Sequence, residues 1–120
     1  MSKRTIQVGR QIKTALTELI ANLREPRIGE LVLTEVVLSP DLLYAKVYYD
    51  SNEPEEDLDE TQDGLEHAVP HLRRSLARKL NLRNTPELTF HFDGDLRRGE
   101  RVRELIDDLS DGEDGETDYR

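Results

Sequence analysis

Five cations, Arg73, Arg74, Arg78, Lys79 and Arg83, fall within one stretch of eleven residues, and closely spaced guanidinium groups are what a ribose-phosphate backbone docks against. His67, His71, Arg74 and Arg78 follow one another at intervals of three or four residues. On a helix they share one face, opposite Leu65, Val69, Leu72, Leu76 and Leu80. A second basic group, Lys3, Arg4, Arg10 and Lys13, stands near the start of the chain. Such residues can neutralise phosphates and so position a domain on a nucleic acid, with no bond made or broken. The plainer reading of the same charges is a solvated helix face.

Pro70 lies inside this stretch. It lacks the N–H that would meet the carbonyl of Glu66, and its ring disfavours a helical Val69. Two helical pieces meeting at a kink over Ala68, Val69 and Pro70 are therefore predicted. With Pro70 opening the second piece, the N–H groups of His71, Leu72 and Arg73 would point outward at the positive end of a helix dipole, where a phosphate can sit. The alternative is that Pro70 merely bends a core helix.

Other chemistry finds less support. His67 and His71 are four apart, but a helix break between them would spoil their common face, and His91 stands alone, so no metal site is predicted. No phosphate loop of the Walker type, serine elbow or metalloprotease motif occurs. Carboxylates cluster only at 53–66 and in the last residues, where nothing would hold them in catalytic geometry. The expectation is a protein without enzymatic activity or cofactor.

The elements that must position these cations can be read from periodicity. Ile6, Ile12, Leu16, Leu19, Ile20 and Leu23 predict an amphipathic helix over about residues 3–24, ended by Pro26 and turned at Gly29. Residues 30–38 and 43–49 read as two strands around the turn Ser39-Pro40-Asp41, and so short a link implies antiparallel pairing. Tyr44, Tyr48 and Tyr49 could stack on bases, though aromatic residues in strands more often pack against the core or across the sheet. Pro54 with Glu55, Glu56 and Asp57 suits a helix start. Residues 87–92 alternate as a third strand, with Leu88, Phe90 and Phe92 inward. Val102, Leu105, Ile106 and Leu109 predict a last helix, and 110–120 reads as a disordered acidic tail. The class is α+β, a small sheet covered by helices on one face, with the third strand entering after a crossover.

The chain has 120 residues, of which 35% are hydrophobic, enough for one domain, expected to span 1–109. It has no cysteine, so disulfides and thiolate chemistry are excluded, and no apolar run near the roughly 20 residues of a membrane span, which fits a soluble cytoplasmic protein. The net charge of −9 argues against a polyanionic partner only if it is evenly spread. It is not. Segment 53–66 holds eight acidic residues and no basic one, and 110–120 holds five with a single Arg120, which leaves the remainder at +3.

Glu-Pro-Arg-Ile-Gly at 25–29, Ser-Pro-Asp-Leu-Leu-Tyr-Ala-Lys-Val-Tyr at 39–48, Leu-Asn-Leu-Arg at 80–83 and Pro-Glu-Leu-Thr-Phe at 86–90 together resemble bacterial ribosome-binding factor A, in order and spacing, over about residues 3–109. The resemblance implies a type II KH-like fold, α-β-β-α-kink-α-β, here with an additional C-terminal helix. It implies a monomeric assembly factor that binds the free small (30S) ribosomal subunit and its 16S rRNA, assists late 16S rRNA processing, and leaves before translation; a release GTPase is left open. The family's kink is of the form Ala-x-Gly, and Ala68-Val69-Pro70 matches it with proline in place of glycine. The RNA contacts expected on this reading are Lys3, Arg4, Arg10, His71, Arg73, Arg74, Arg78, Lys79 and Arg83, with Arg27 and Lys46 behind them. A reading from another class is a protein interaction module whose acidic segments engage a basic partner, the KH-like body being a scaffold.

Overall fold

Ser2 caps the first helix: its Oγ accepts the Thr5 N–H at 3.2 Å and donates to Thr5 Oγ1 at 3.3 Å. The structure, a computed structural model, describes residues 2–94. Helix α1 runs Lys3–Ala21 and buries Ile12, Ala15, Leu16 and Ile20. At Gly9 it crosses the first strand so closely that an added Cβ would lie 2.9 Å from the Val36 carbonyl oxygen. Strands β1 (Leu31–Leu38) and β2 (Tyr44–Ser51) pair antiparallel, with Leu38 opposite Ala45 and an irregularity between Leu33 and Glu35.

The link between these strands is tightly bonded. Asp41 Oδ1 accepts from Ser39 Oγ at 2.6 Å and from the Leu43 N–H at 3.1 Å, and Ser39 Oγ accepts the Tyr44 N–H at 3.0 Å. These bonds, the Ser39 hydroxyl first, hold the Asp41 carboxyl below its usual range. They also hold Leu42 at φ 64°, a left-handed conformation that disfavours a residue with a Cβ by roughly 1–2 kcal/mol.

A 3₁₀ turn at Glu55–Asp57 leads into helix α2, Leu58–Leu80, which crosses over to strand β3, Glu87–Phe92. Strand β3 lies parallel to β2, and the sheet order is β1-β2-β3. Both helices cover one face, where Ile12, Leu16, Val47, Tyr49, Leu65, Leu72 and Leu76 are almost wholly buried. The α+β class, the hairpin, the crossover and the inward Leu88, Phe90 and Phe92 all appear as expected. The tyrosines divide: Tyr49 is core, Tyr48 meets His91 across the strands at 5.4 Å between ring centres, and Tyr44 is exposed.

The expected break at Ala68, Val69 and Pro70 does not divide the helix. Residues 58–80 form one helix with Pro70 inside it. Pro70 and Glu66 are both exposed, so the proline sits on the solvated face of α2, where a helix tolerates it better than in its packed face. A second helix N-terminus at His71–Arg73, with its free N–H groups, is consequently not formed. His67 and His71, placed on different pieces by the sequence reading, stand one turn apart on the outer face of one helix, both exposed. No group of three or more His, Cys, Asp or Glu among the described residues could hold a metal ion. Likewise no helix among them is long and apolar enough to cross a membrane. The expected helix at 102–109 and tail at 110–120 lie outside the described residues.

Tyr49 ties the layers together. Its hydroxyl donates to Gln62 Oε1 at 2.6 Å, and Gln62 Nε2 donates to the Phe90 carbonyl at 2.8 Å and to Glu66 Oε2 at 2.8 Å. Burial, then the nearby Glu66 and Asp59 carboxylates, pushes the Tyr49 phenol up to about 12. Its unfolded value is near about 10. The folded state therefore binds the proton more tightly, and the associated stability is complete below about pH 10 and lost as pH rises through 12. Tyrosinate absorbance followed through an alkaline titration should show Tyr49 ionising together with unfolding, and Tyr49→Phe should remove that part of the pH dependence.

Candidate nucleic-acid interface

Helix α2 carries the central cations because its two faces are chemically opposed. Leu65, Ala68, Leu72, Ser75 and Leu76 are buried, and His67, His71, Arg74 and Arg78 are exposed on the reverse side. Charge also changes along its length. Asp59 and Glu60 occupy the first turn, and Arg78 and Lys79 the last, which suits the positive and negative ends of the macrodipole. Asn81 ends the helix in the left-handed conformation at φ 53°, its N–H returning to the Ala77 carbonyl. Arg83 follows in the loop, exposed.

Arg4 and Val8 of α1 line one cavity with Leu82, Arg83 and Asn84 just beyond the end of α2. The segment after α1, with Glu25, Arg27 and Ile28, packs instead against Gly64 near the start of α2. The start of α1 thus meets the loop just beyond α2, Lys79 in the last turn of α2 reaches across to Glu18 near the end of α1, and Gly64 in the acidic segment 53–66 packs against the segment after α1. About eight residues of helix, or roughly 12 Å, separate Glu66 from Arg74 along the α2 axis.

The expected contact residues do not all have the same freedom. Arg4, Arg74, Arg78 and Arg83 are exposed and make no ion pair with a described residue, and Lys3 and His71 are exposed as well. Arg73 is half-buried, and its guanidinium donates to the Pro86 carbonyl at 3.0 Å and the Thr85 carbonyl at 2.8 Å. It pins the α2–β3 connection to the helix, a structural duty the sequence reading did not foresee. Lys79 Nζ is paired with Glu18 Oε1 of α1 at 2.8 Å. Arg10 turns to the other side of α1, where it lines a groove along the β1 edge with Lys13, Thr34 and Glu35. Lys13, three residues from Arg10, belongs with it, and that spacing was the signal for it.

The weaker candidates stand apart. Arg27 is bonded to Glu25 at 2.8 Å, and this guanidinium holds the Glu25 carboxyl down to about 2. Lys46 pairs in register with Val37 and Thr89 on the sheet face away from the helices. Ala68 is buried, Val69 half-buried and Pro70 exposed, so the Ala68–Pro70 segment contributes helix rather than an opened backbone. What remains is an exposed stripe of His71, Arg74 and Arg78 on α2, and Arg4 with Arg83 around the cavity just beyond that helix. Such groups can take several phosphates of one polymer.

Comparison with known proteins bears on what those groups meet. The family model described as ribosome-binding factor A matches residues 4–106. A ribosome-binding factor A of Nitrosospira multiformis is 42% identical over 118 residues, covering 96% of this chain and 94% of the relative. Another, from Aromatoleum aromaticum, is 40% identical over 107 residues, covering 88% of this chain and 84% of its own. Among solved structures, the crystal structure of ribosome-binding factor A from Thermus thermophilus shares 32% identity at a TM-score of 0.65, with 72% of this chain and 93% of that one covered. Coordinates of the Thermus thermophilus factor fitted into a cryo-EM map of its complex with the 30S subunit share 34% identity at a TM-score of 0.59, covering 68% and 87%. With a matched segment that takes in both helices and all three strands, the chain belongs to the ribosome-binding factor A family.

Proposed function

We propose that this protein is a ribosome assembly factor that binds the free 30S subunit through its 16S rRNA and assists late 16S rRNA processing and subunit maturation. The observation that carries the reading is the exposed basic stripe of α2, Arg74 and Arg78, together with Arg4 and Arg83 around one cavity just beyond that helix, in a chain that is anionic overall. A Thermus thermophilus relative described in complex with the 30S subunit supports it. The role is one of occupancy. Guanidinium groups neutralise backbone phosphates and fix the domain's orientation, so a maturing RNA region is held in an intermediate arrangement until the factor leaves. No step of this requires catalysis. The body, residues 1–109, is of the type II KH-like kind, with the helix pair that would flank the family's kink fused into α2 across Pro70. It acts as a monomer in the cytoplasm.

Salt dependence tests the reading. Four guanidinium–phosphate contacts should lower the affinity for isolated small subunits by about a hundredfold between roughly 50 and 200 mM salt. Sedimentation of the protein with purified 30S subunits across that range measures the slope. A flat profile, or equal association with translating ribosomes, would count against the proposal.

A further inference from the structure

The cavity around Arg4 and Arg83 is not explained by phosphate contacts. It encloses about 200 Å³ between the start of α1, the β1–β2 turn and the α2–β3 loop. Its walls are apolar, from Val8, Leu42, Leu43 and Pro86, and its polar groups are Arg4, Arg83, the Asn84 amide and the Asp41 carboxylate, whose Oδ1 is engaged by Ser39 and the Leu43 N–H. The volume falls below the roughly 300–1,000 Å³ of pockets that take whole drug-sized ligands. It suits one planar ring.

The wall is held in place by an unusual turn. The Ser39 and Asp41 bonds keep Leu42 left-handed, so Leu42 packs towards the core and Leu43, at 48% relative exposure, faces outward at the rim. Tyr44 follows at 57% exposure. A non-glycine residue kept in such a conformation by three hydrogen bonds is the kind of local strain that persists where a site needs it. Two guanidinium groups beside an apolar slot also form a complementary pair of features for a nucleotide, whose base is flat and apolar and whose flanking phosphates are anionic.

We propose that this cavity receives one unpaired base of the bound RNA, with Arg4 and Arg83 on the phosphates to either side and Asn84 at the base edge. The inference rests on the RNA-binding reading above and adds to it a single-stranded, base-reading contact, separate from the guanidinium stripe of α2. Stacking and burial of a base tolerate different sequences, so the contact selects unpaired over paired RNA more than one base over another.

The test uses the isotope-labelled full chain and two short single-stranded oligoribonucleotides of equal length and charge, one normal and one abasic. The normal strand should bind about tenfold more tightly and shift the amide signals of Leu42, Leu43 and Asn84. Leu43→Ala, a rim substitution that spares the buried core, should bring the two strands to equal affinity. Arg83→Ala should weaken both alike and leave the preference intact. Equal binding of both strands to the unaltered chain overturns the inference, as does a preference that survives Leu43→Ala or shifts confined to other residues. The same amides responding to an apolar peptide and not to RNA would assign the cavity to a protein partner and also overturn it. Salt-dependent sedimentation with small subunits is read separately, so the base contact can fail while the phosphate reading stands.

Discussion

Association with small subunits is expected to fall by more than about a hundredfold when Arg74→Glu and Arg78→Glu are combined, since each change removes a phosphate contact and sets a carboxylate against a phosphate. Both side chains are exposed and make no ion pair with a described residue, so the core of Leu72 and Leu76 beneath them is untouched. Glutamate is a good helix former, but near the end of α2 it opposes the macrodipole by roughly 0.3–1 kcal/mol. A melting point lowered by a few degrees is therefore expected as well. Arg74→Gln with Arg78→Gln separates the two effects: stability should return to that of the natural chain, with affinity between the two extremes. Sedimentation with 30S subunits at fixed salt, alongside thermal melts, measures both. Undiminished association of the glutamate variant would show that α2 does not face the RNA.

Pro70→Ala should stabilise the protein and leave its association unchanged. Helix α2 already continues through position 70, so the native state carries a missing bond at the Glu66 carbonyl and the crowding of the ring against the preceding turn. Alanine restores the donor and the best helix propensity. Against this, losing the proline ring frees the unfolded chain by roughly 0.4–1 kcal/mol. The balance is a gain of about 1–2 kcal/mol, or a melting point raised by about 4–8 °C per kcal/mol for a domain of this size. The functional half of the prediction is the more informative. If RNA docked on opened backbone N–H groups at Pro70, restoring the helical bond would weaken it. If the exposed guanidinium stripe does the docking, binding at fixed salt stays where it was.

Much of this fold is written in local patterns. The apolar spacing of Ile12, Leu16 and Ile20, the alternation of Leu88 and Phe90, and the turn chemistry of Ser39 and Asp41 each act over a few residues, and each element formed where those patterns put it. The first helix ended three residues earlier than its apolar spacing suggested, at Ala21. At Pro70 the residue order leaves two readings open, a break or a bend within one helix, and α2 runs through it unbroken. Proline's penalty in a helix depends on what surrounds the carbonyl it orphans, and exposure of Glu66 is not visible in the order of residues. Among the cations, type and spacing identified the group but not its members' duties. Arg73 and Arg74 are neighbours in the chain, yet one points into the Thr85 and Pro86 carbonyls and the other into solvent.

Residue order determined that this chain is anionic in total and cationic in patches, that it has no thiol chemistry, and that it sets amphipathic helices against three strands. Only the tertiary structure decided which patches become one surface. Residues 4 and 83 are remote in sequence, and the return of the α2–β3 loop to the start of α1 is what sets them around the same cavity, while Gly64 in segment 53–66 packs against the segment after α1. The physical reason is that electrostatic attraction for a polyanion depends on charge separation over about a Debye length, roughly 8–10 Å, a distance set by packing and not by position along the chain.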